Sequence, residues 1–284
     1  MNNVIKCGKV SFNIGERTYI MGIINATPDS FSMDGLSNNI KEILHLADKM
    51  IKDGADILDI GGESTRPGSE RVGEDEELNR VIPVITAIKE RFDIPVSVDT
   101  YKSKVAACAI TAGADMINDI SGLKFDDRMA NIVANSNVPV VLMHTSGDPK
   151  IMQSAPEYDD IIKAIITYLQ DSTDIALCSG VKSDNIIWDP GFGFGKTVEH
   201  NLEIIRRLDE IKSCGYPVLM GTSRKSTIGK LLADAPVNER LEGTAATVAL
   251  SIANGADFIR VHDVKEMKKV AIVADAITRK SRRL

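Results

Sequence analysis

A recurring tripeptide limits what this chain can fold into more than any other feature. Gly-Ala-Asp occurs at 54–56, 113–115 and 255–257, and each copy precedes a short apolar run that ends on a polar residue. Each glycine follows a helical pattern, and glycine readily takes the left-handed conformation that ends a helix. A short apolar run bounded in this way is typical of a buried strand. The repeat therefore predicts a unit of helix, glycine turn and buried strand.

Five further apolar runs extend this pattern. Three begin with Pro-Val, at residues 95, 139 and 217, and proline is tolerated as the first residue of a strand. The other two lie at 20–24 and 186–188. Helical patterns separate the runs, at 40–52, 75–91, 103–111, 127–135, 158–179, 199–213, 240–253 and 264–279. Strands that alternate with helices predict a parallel sheet of the α/β class.

Eight such units in a chain of 284 residues predict a (β/α)8 TIM barrel. We expect one domain spanning residues 1–284, with a short N-terminal β-hairpin at about 4–15 that closes the bottom of the barrel. The alternative is an open doubly wound sheet. It is less favoured because no GxGxxG motif follows the first strand.

Composition excludes several classes of protein. The net charge of -6 argues against a general nucleic-acid surface. No apolar run reaches the eighteen or so residues of a membrane span, and the segment 1–7 lacks the apolar core of a signal peptide. The four cysteines lie far apart, as expected of thiols in a reducing compartment. We therefore expect a cytoplasmic protein that binds neither membranes nor nucleic acids.

Polar residues follow the predicted strands at the point where each strand ends. In a barrel, these C-terminal ends meet at one mouth, where the active site is built. Carboxylates, amides and cations together at one mouth indicate a functional site. The residues are Asn25, Asp59, Asp99, Asn118, His144, Asp189, the turn at 222–225, Arg260 and His262.

The expected site has two chemical halves. Asp99, Asn118 and Asp189 offer acceptor oxygens and an amide, which suit a flat heterocycle with ring N–H and amino groups. Arg260 and His262 are two residues apart on the last strand, so alternation points both to the same side. Such a pair suits a phosphorylated substrate.

Two further features bear on ligands. Asn25 supplies a neutral oxygen that is able to join a Mg²⁺ ion bridging phosphates. The glycine-rich run at 191–197 resembles a nucleotide-binding loop, but Pro190 stands where that motif needs glycine. We interpret its glycines as allowing close approach to a ligand, with Phe192 and Phe194 as apolar walls.

The sequence resembles the dihydropteroate synthase family over nearly the whole chain, from about residue 18 to 275. Each motif is short, and it is their number and order that make the resemblance specific. The matching motifs are MGIINATPDSFS at 21–32, DIGGESTRPG at 59–68, SVDT at 97–100, IND at 117–119, LMH at 142–144, DPGFGFGK at 189–196, SRKS at 223–226 and RVHD at 260–263.

The resemblance implies an enzyme that joins 6-hydroxymethyl-7,8-dihydropterin diphosphate to 4-aminobenzoate and releases pyrophosphate, with Mg²⁺ as cofactor. It implies a homodimer and a target of sulfonamides.

The resemblance also implies a role for individual residues. The implied catalytic residues are Asp99, Lys225, Arg260 and His262. The implied pterin ligands are Asp99, Asn118, Asp189 and Lys225. The implied diphosphate ligands are Asn25, which also binds the metal, Arg260 and His262. The residues implied around 4-aminobenzoate are Thr65, Arg66, Pro67, Phe194 and Ser226.

The sequence is also compatible with two rival functions. A pterin-binding methyltransferase that transfers a methyl group from methyltetrahydrofolate to a corrinoid would share the ring-binding Asp and Asn residues, but would not need Arg260 and His262. A non-catalytic pterin-binding barrel would be expected to lose at least one of Asn25, Lys225, Arg260 and His262. All four residues are present. Pyrophosphate release that depends on 4-aminobenzoate would separate the three functions.

Overall fold

The computed structural model describes residues 4–26, 36–64, 71–146 and 158–279, of which 36–39 are described in their backbone only. The strands are β1 Val4–Cys7, β2 Val10–Asn13, β3 Tyr19–Asn25, β4 Ile57–Gly61, β5 Val96–Asp99, β6 Met116–Asp119, β7 Val140–Met143, β8 Ile186–Asp189, β9 Leu219–Met220 and β10 Phe258–Val261. The helices are α1 Leu36–Lys52, α2 Glu74–Arg91, α3 Ser103–Thr111, α4 Met129–Ser136, α5 Ile161–Cys178, α6 Val198–Arg206, α7 Leu208–Lys212, α8 Ser226–Leu231, α9 Leu241–Ala253 and α10 Val264–Thr278.

Strands β3 to β10 form one eight-stranded sheet in the order β8-β7-β6-β5-β4-β3-β10-β9. The pairs between these neighbours are parallel. A parallel bridge between Trp188 and Val218 brings β8 beside β9, and Trp188 N donates to Pro217 O at 2.8 Å. The sheet therefore closes on itself, which confirms the predicted (β/α)8 barrel over the open doubly wound sheet.

Alternation along the strands separates the core from the mouth. Successive side chains of a strand face opposite sides of the barrel wall. One set, which includes Ile20 and Leu58, packs between the sheet and the helices. The other set faces the interior, where a buried apolar residue at the bottom is followed two positions later by a polar residue at the mouth. Such pairs are Ile57 with Asp59, Met116 with Asn118, Ile187 with Asp189 and Phe258 with Arg260.

The hairpin of β1 and β2 closes the bottom of the barrel. Its Phe12 ring lies 4.7 Å from the Tyr19 ring and 5.7 Å from the Phe258 ring, measured between centroids. Ile5 and Cys7 are buried in the same apolar cluster. This confirms the predicted hairpin, which seals one end and leaves the C-terminal ends of the strands as the mouth.

The three Gly-Ala-Asp copies share a backbone function. Their glycines have φ between +99° and +106°, which confirms the predicted left-handed helix ends. Each aspartate then accepts a hydrogen bond from the backbone N–H of a residue at the start of the preceding barrel strand. In each copy, the glycine therefore ends a helix and the aspartate anchors the neighbouring strand. The bonds run from Ile20 N to Asp56, from Val96 N to Asp115 and from Val218 N to Asp257, each 2.9 Å long.

Two helices differ from the sequence prediction. The predicted helix at 199–213 is divided into α6 and α7, because Arg207 leaves the helical conformation, with φ −114° and ψ 26°. The six-residue helix α8 was not predicted, since it is too short to show a periodic pattern. Over the ranges given above, no helix has both the length and the apolarity to cross a membrane.

Candidate active site

Arg260 joins the ends of several strands at the mouth. Its Nε donates to Asp59 Oδ2 and its Nη2 donates to Asp99 Oδ2, both at 2.6 Å. Asn118 Nδ2 donates to the same Asp59 oxygen at 3.1 Å. Asp59 is fully buried, and the Arg260 side chain is 18% exposed. The guanidinium of β10 therefore joins the ends of β4 and β5, and Asp59 adds the end of β6 through Asn118.

A second group at the mouth combines a carboxylate, an ammonium and an apolar wall. Lys225 Nζ lies 4.1 Å from the centroid of the Phe194 ring, and this ring packs with Ile120 and Met143. Asp189 Oδ1 accepts the backbone N–H of Gly191 at 2.7 Å. A flat ligand placed here would meet both an apolar surface and charged hydrogen-bonding groups.

Burial shifts the pKa values of these charged groups. It raises the pKa of Asp189 to about 6 and also raises the pKa of Asp99 above its ordinary value. Burial, together with the nearby Arg260 charge, lowers the pKa of Lys225 to about 8. Burial alone would lower the pKa of Arg260, but the Asp59 and Asp99 carboxylates outweigh it and raise that pKa. Perturbed pKa values in a cleft are typical of functional sites.

The glycine-rich loop after β8 is organised around Lys196. Its Nζ donates to the carbonyl oxygens of Gly191 at 2.8 Å, Phe194 at 3.2 Å and His144 at 3.4 Å. The loop approaches the end of β7 so closely that a Cβ atom on Gly191 would lie 1.9 Å from His144 O. Glycine is required at this position, where φ is +70°.

His262 lies beyond the end of β10, two residues after Arg260. Its Nδ1 is 3.0 Å from Ser223 Oγ, and its backbone N donates to the same oxygen at 3.2 Å. Ser223 precedes the Arg224-Lys225 pair. The serine thus links the turn that carries Lys225 to the strand that carries Arg260.

A buried ion cluster fixes the chain just before residue 65. Lys102 forms ion pairs with both Glu63 and Glu77, and Tyr101 OH donates to Glu63 Oε1 at 3.1 Å. Burial raises the pKa of Glu77, whereas the two carboxylates raise the pKa of Lys102 against the effect of burial. The segment predicted to contact 4-aminobenzoate begins two residues after Glu63.

The remaining predicted residues are placed as follows. Asn25 ends β3 and is half-buried, and Ser226 is exposed at the first position of α8. The predictions for Thr65, Arg66 and Pro67 fall on residues outside the described ranges.

A magnesium ion that is bound mainly through a substrate needs few protein ligands. In the part of the chain that the structure describes, no three His, Cys, Asp or Glu side chains cluster as a ligand set. Mg²⁺ is commonly held by one or two protein oxygens together with substrate phosphates and water. The neutral amide oxygen of Asn25 therefore fits as one ligand of an ion bound mainly through a phosphorylated substrate.

His144 follows a barrel strand but does not face the mouth. Its ring contacts the Tyr168 ring of α5, with centroids 4.9 Å apart, and burial lowers the pKa of the imidazole to about 2. The preceding Met143 faces the mouth with Phe194, so alternation turns the next side chain outward. The prediction that His144 joins the other polar strand ends was wrong for this reason.

Three residues at or near the mouth had no assigned role in the sequence analysis. Asp59 occupies the same strand-end position as Asp99 and Asn118, so the signal was present and only its link to Arg260 was missing. Lys196 and Lys102 lie in loops, and their partners are distant in sequence or are backbone carbonyls. Neither spacing nor alternation identifies such partners.

Comparisons with known proteins show what the chain as a whole is similar to. The family model described as "Pterin binding enzyme" matches residues 21–262. The chain is 54% identical to the dihydropteroate synthase of Clostridium beijerinckii, an alignment that covers 97% of this chain and all of that protein. Among solved structures, it is 49% identical to a Clostridium difficile dihydropteroate synthase crystallised in the presence of pteroic acid, with a TM-score of 0.90 and coverage of 95% and 100%. It is 38% identical to the Xanthomonas albilineans dihydropteroate synthase with 4-aminobenzoic acid, with a TM-score of 0.91 and 98% of each chain covered.

Proposed function

The chain belongs to the dihydropteroate synthase family of pterin-binding enzymes, and from this membership we propose how the barrel mouth divides the two substrates. The reaction joins 6-hydroxymethyl-7,8-dihydropterin diphosphate to 4-aminobenzoate, giving 7,8-dihydropteroate and pyrophosphate in folate biosynthesis. Our proposal concerns the residues that bind each substrate, the metal and the assembly.

The pterin ring binds between the polar strand ends and the apolar wall. Asp189 and Asn118 provide a carboxylate and an amide for the ring N–H and amino groups, and Lys225 is close to both Asp189 and Phe194. The observation that carries this assignment is the combination of a buried carboxylate with a cation over an aromatic ring at a single mouth. A neutral heterocycle rich in donors and acceptors matches these groups, because Asp189 and Lys225 offer charge-assisted hydrogen bonds and Asn118 offers a neutral amide.

The diphosphate binds on the side of the mouth formed by β3 and β10. Arg260 supplies a guanidinium and His262 an imidazole there. Asn25 lies on the adjacent strand, where Met21 and Arg260 are register partners. When bound, Mg²⁺ contributes Lewis-acid stabilisation of the departing pyrophosphate, and Asn25 is its protein ligand among the described residues.

The 4-aminobenzoate site lies at the outer rim. Phe194 provides an aromatic surface, and Ser226 at the start of α8 provides a hydroxyl for the carboxylate end. Thr65, Arg66 and Pro67 complete this site in the proposal. Sulfonamides, which share the aniline group, are therefore expected to compete with 4-aminobenzoate and not with the pterin diphosphate.

The chain's own residues act by positioning and by charge. Cleavage of the C–O bond leaves positive charge on the pterin methylene and negative charge on the pyrophosphate. Asp99 and Asp189 stabilise the positive charge, and Arg260 with His262 stabilises the negative charge. The aniline nitrogen of 4-aminobenzoate then forms the new C–N bond and loses a proton. No protein nucleophile is required, because the second substrate supplies the attacking atom.

The assembly and compartment are also proposals. A homodimer is supported by an apolar surface on α9 and α10 that is exposed in the single chain. A cytoplasmic location is supported by the need for folate-pathway intermediates, which are small charged molecules. No nucleic-acid or membrane partner is part of the proposal.

Pyrophosphate release tests the function. Release should depend on both substrates and should stop when divalent cations are chelated, whereas binding of 6-hydroxymethylpterin should persist. Asp189→Ala should abolish detectable pterin binding in calorimetry, since a buried heterocycle loses a charge-assisted hydrogen bond worth roughly 1.5–3 kcal/mol. Unchanged pterin affinity in this variant would remove Asp189 from the site. Full turnover after exhaustive chelation would remove the metal from the mechanism.

A further inference from the structure

Lys196 is a charged residue at the mouth that the reaction scheme leaves without a task. We propose that it is a positioning residue for the pterin site, whose ammonium holds the β8–α6 loop in the form that presents Asp189 and Phe194. The proposal rests on the proposed function, because it assigns Lys196 a task only if those two residues contact the substrates.

All the N–H donors of the Lys196 ammonium have backbone carbonyl oxygens as partners. A lysine ammonium has three N–H donors and no acceptor. The donors of Lys196 match three carbonyl oxygens, two in its own loop, at Gly191 and Phe194, and one beyond the end of β7, at His144. Buried carbonyls without a partner are costly. The charge of Lys196 therefore ties the loop to itself and to the neighbouring strand end.

The loop residues that Lys196 binds are the ones that reach the mouth. The Gly191 carbonyl accepts from Lys196, and the Gly191 N–H donates to Asp189. The Phe194 carbonyl accepts from Lys196, and the Phe194 N–H donates to Gly191 O at 3.1 Å. The Phe194 ring lies against the Lys225 ammonium. Loss of the ammonium would remove a donor from both peptide carbonyls and leave Gly191 O with the Phe194 N–H as its remaining partner. The orientation of the Asp189 carboxylate and of the Phe194 ring would then no longer be fixed.

The surroundings of Lys196 keep its charge dependent on pH. Burial lowers its pKa to about 7, and the Lys225 charge also acts to lower it, while Asp189 acts in the opposite direction. The His144 imidazole beyond β7 is neutral, because burial lowers its pKa to about 2. His200 of α6 faces the loop through Thr197 N, which donates to its Nδ1 at 3.4 Å. The protonated lysine thus predominates below neutral pH and is lost as the pH rises.

Truncation and chemical rescue test this role. Lys196→Ala should lower the affinity for 6-hydroxymethylpterin by roughly ten- to a hundredfold, as expected for the loss of charge-assisted hydrogen bonds, and should raise KM for 4-aminobenzoate. Propylammonium has the atoms that the truncation removes, and adding it should restore binding, whereas uncharged propanol should not. Lys163→Met, at a side chain that is 81% exposed, serves as the control and should leave both constants unchanged.

A measurement on the unaltered enzyme covers the case in which Lys196→Ala does not fold. Hydrogen exchange at the amides of Gly191, Gly193 and Phe194, corrected for the intrinsic effect of pH, should speed up between pH 6 and pH 9. The amides of helix α5 should stay protected.

The outcomes distinguish the positioning role of Lys196 from the proposed pterin site. If Lys196→Ala binds pterin like the parent enzyme while Asp189→Ala does not, Lys196 has no positioning role and the proposed pterin site stands. Rescue by propanol as well as propylammonium, or exchange that does not change with pH, would overturn the positioning role too. Normal pterin binding by Asp189→Ala would instead overturn the pterin site on which the proposal rests.

Discussion

At the scale of single residues, Asp59 connects stability to the site. Its carboxylate is fully buried and accepts from both Arg260 and Asn118. We expect Asp59→Ala to lower the free energy of unfolding by about 3 kcal/mol or more, because removing one partner of a buried ion pair leaves a poorly compensated charge. Urea unfolding would measure the loss.

Asp59→Asn is the matched variant, since it keeps an acceptor oxygen for the guanidinium and removes the charge. We expect it to retain a larger part of the stability than Asp59→Ala and to lower kcat/KM by loosening Arg260. Equal stability of the parent and the alanine variant would show that Asp99 alone suffices to hold Arg260.

The pKa shifts at the mouth predict a bell-shaped pH dependence of kcat/KM. Asp189 acts as a carboxylate, so activity should fall as the pH drops below its raised pKa of about 6. Lys225 and the positioning residue Lys196 act as cations, so activity should also fall as the pH rises through their lowered pKa values of about 8 and about 7. Initial rates between pH 5 and pH 10 at subsaturating pterin diphosphate would trace both limbs, which report groups of the free enzyme.

Two variants assign the limbs of that profile. Lys225→Arg keeps a cation at every pH of the assay and should make the alkaline limb less steep, because Lys196 alone then sets it. Asp189→Asn cannot ionise and should remove the acid limb from whatever activity remains. A parent-like profile in both variants would mean that other groups control the pH dependence.

At the scale of helices and strands, the sequence predicted the order of the elements but not all of their contacts. The barrel strands and most helices follow from glycine turns, Pro-Val starts and apolar runs, which are local signals. The break at Arg207 and the short helix α8 have no such signal. At the site, alternation correctly grouped Asp99, Asn118 and Arg260. His144 lies one position after Met143, which faces the mouth, so the His144 side chain faces away from it. The partners of Lys196 and Lys102 depend on loop conformation, which a local pattern does not encode.

The aspartates of the Gly-Ala-Asp copies give an element-scale prediction. Asp115 Oδ2 accepts from Val96 N at 2.9 Å and from Lys89 Nζ at 2.8 Å, so it anchors the start of β5 and the end of α2. Asp115→Ala should lower the free energy of unfolding by about 1–3 kcal/mol, because a buried backbone N–H loses its acceptor. Denaturant unfolding would measure the effect.

A surface aspartate with a similar ion pair provides the control. Asp93 pairs with Lys9 at 3.2 Å, and both side chains are well exposed. Asp93→Ala should change the stability by no more than about 0.5 kcal/mol, as exposed ion pairs contribute little. If the two alanine variants were equally stable, the strand-anchoring role of Asp115 would be wrong.

At the scale of the whole molecule, the proposed homodimer follows from where apolar surface is exposed. Val273 and Ile277 of α10 are 60% and 79% exposed, and Leu250 of α9 lies beside them. Among the residues that the structure describes, these side chains form a contiguous apolar groove with Ala249 and Ala253. Contiguous apolar surfaces of this kind are typical of protein–protein contacts, and a second copy pairing the same helices would bury the groove symmetrically.

Charged substitutions on α10 test this assembly. The parent protein should sediment at about twice the 30.8 kDa mass of the chain, and Val273→Asp combined with Ile277→Glu should shift it to the mass of one chain, because each buried carboxylate would lose its hydration without gaining a partner. Leu177→Glu, at an exposed position of α5, should leave the dimer intact. The α10 face lies on the outer layer of helices, away from the residues at the mouth, so the monomeric variant should still bind 6-hydroxymethylpterin. A parent protein that sediments as a single chain at micromolar concentration would contradict the homodimer, whereas dimers that persist in the doubly charged variant would move the interface to another face.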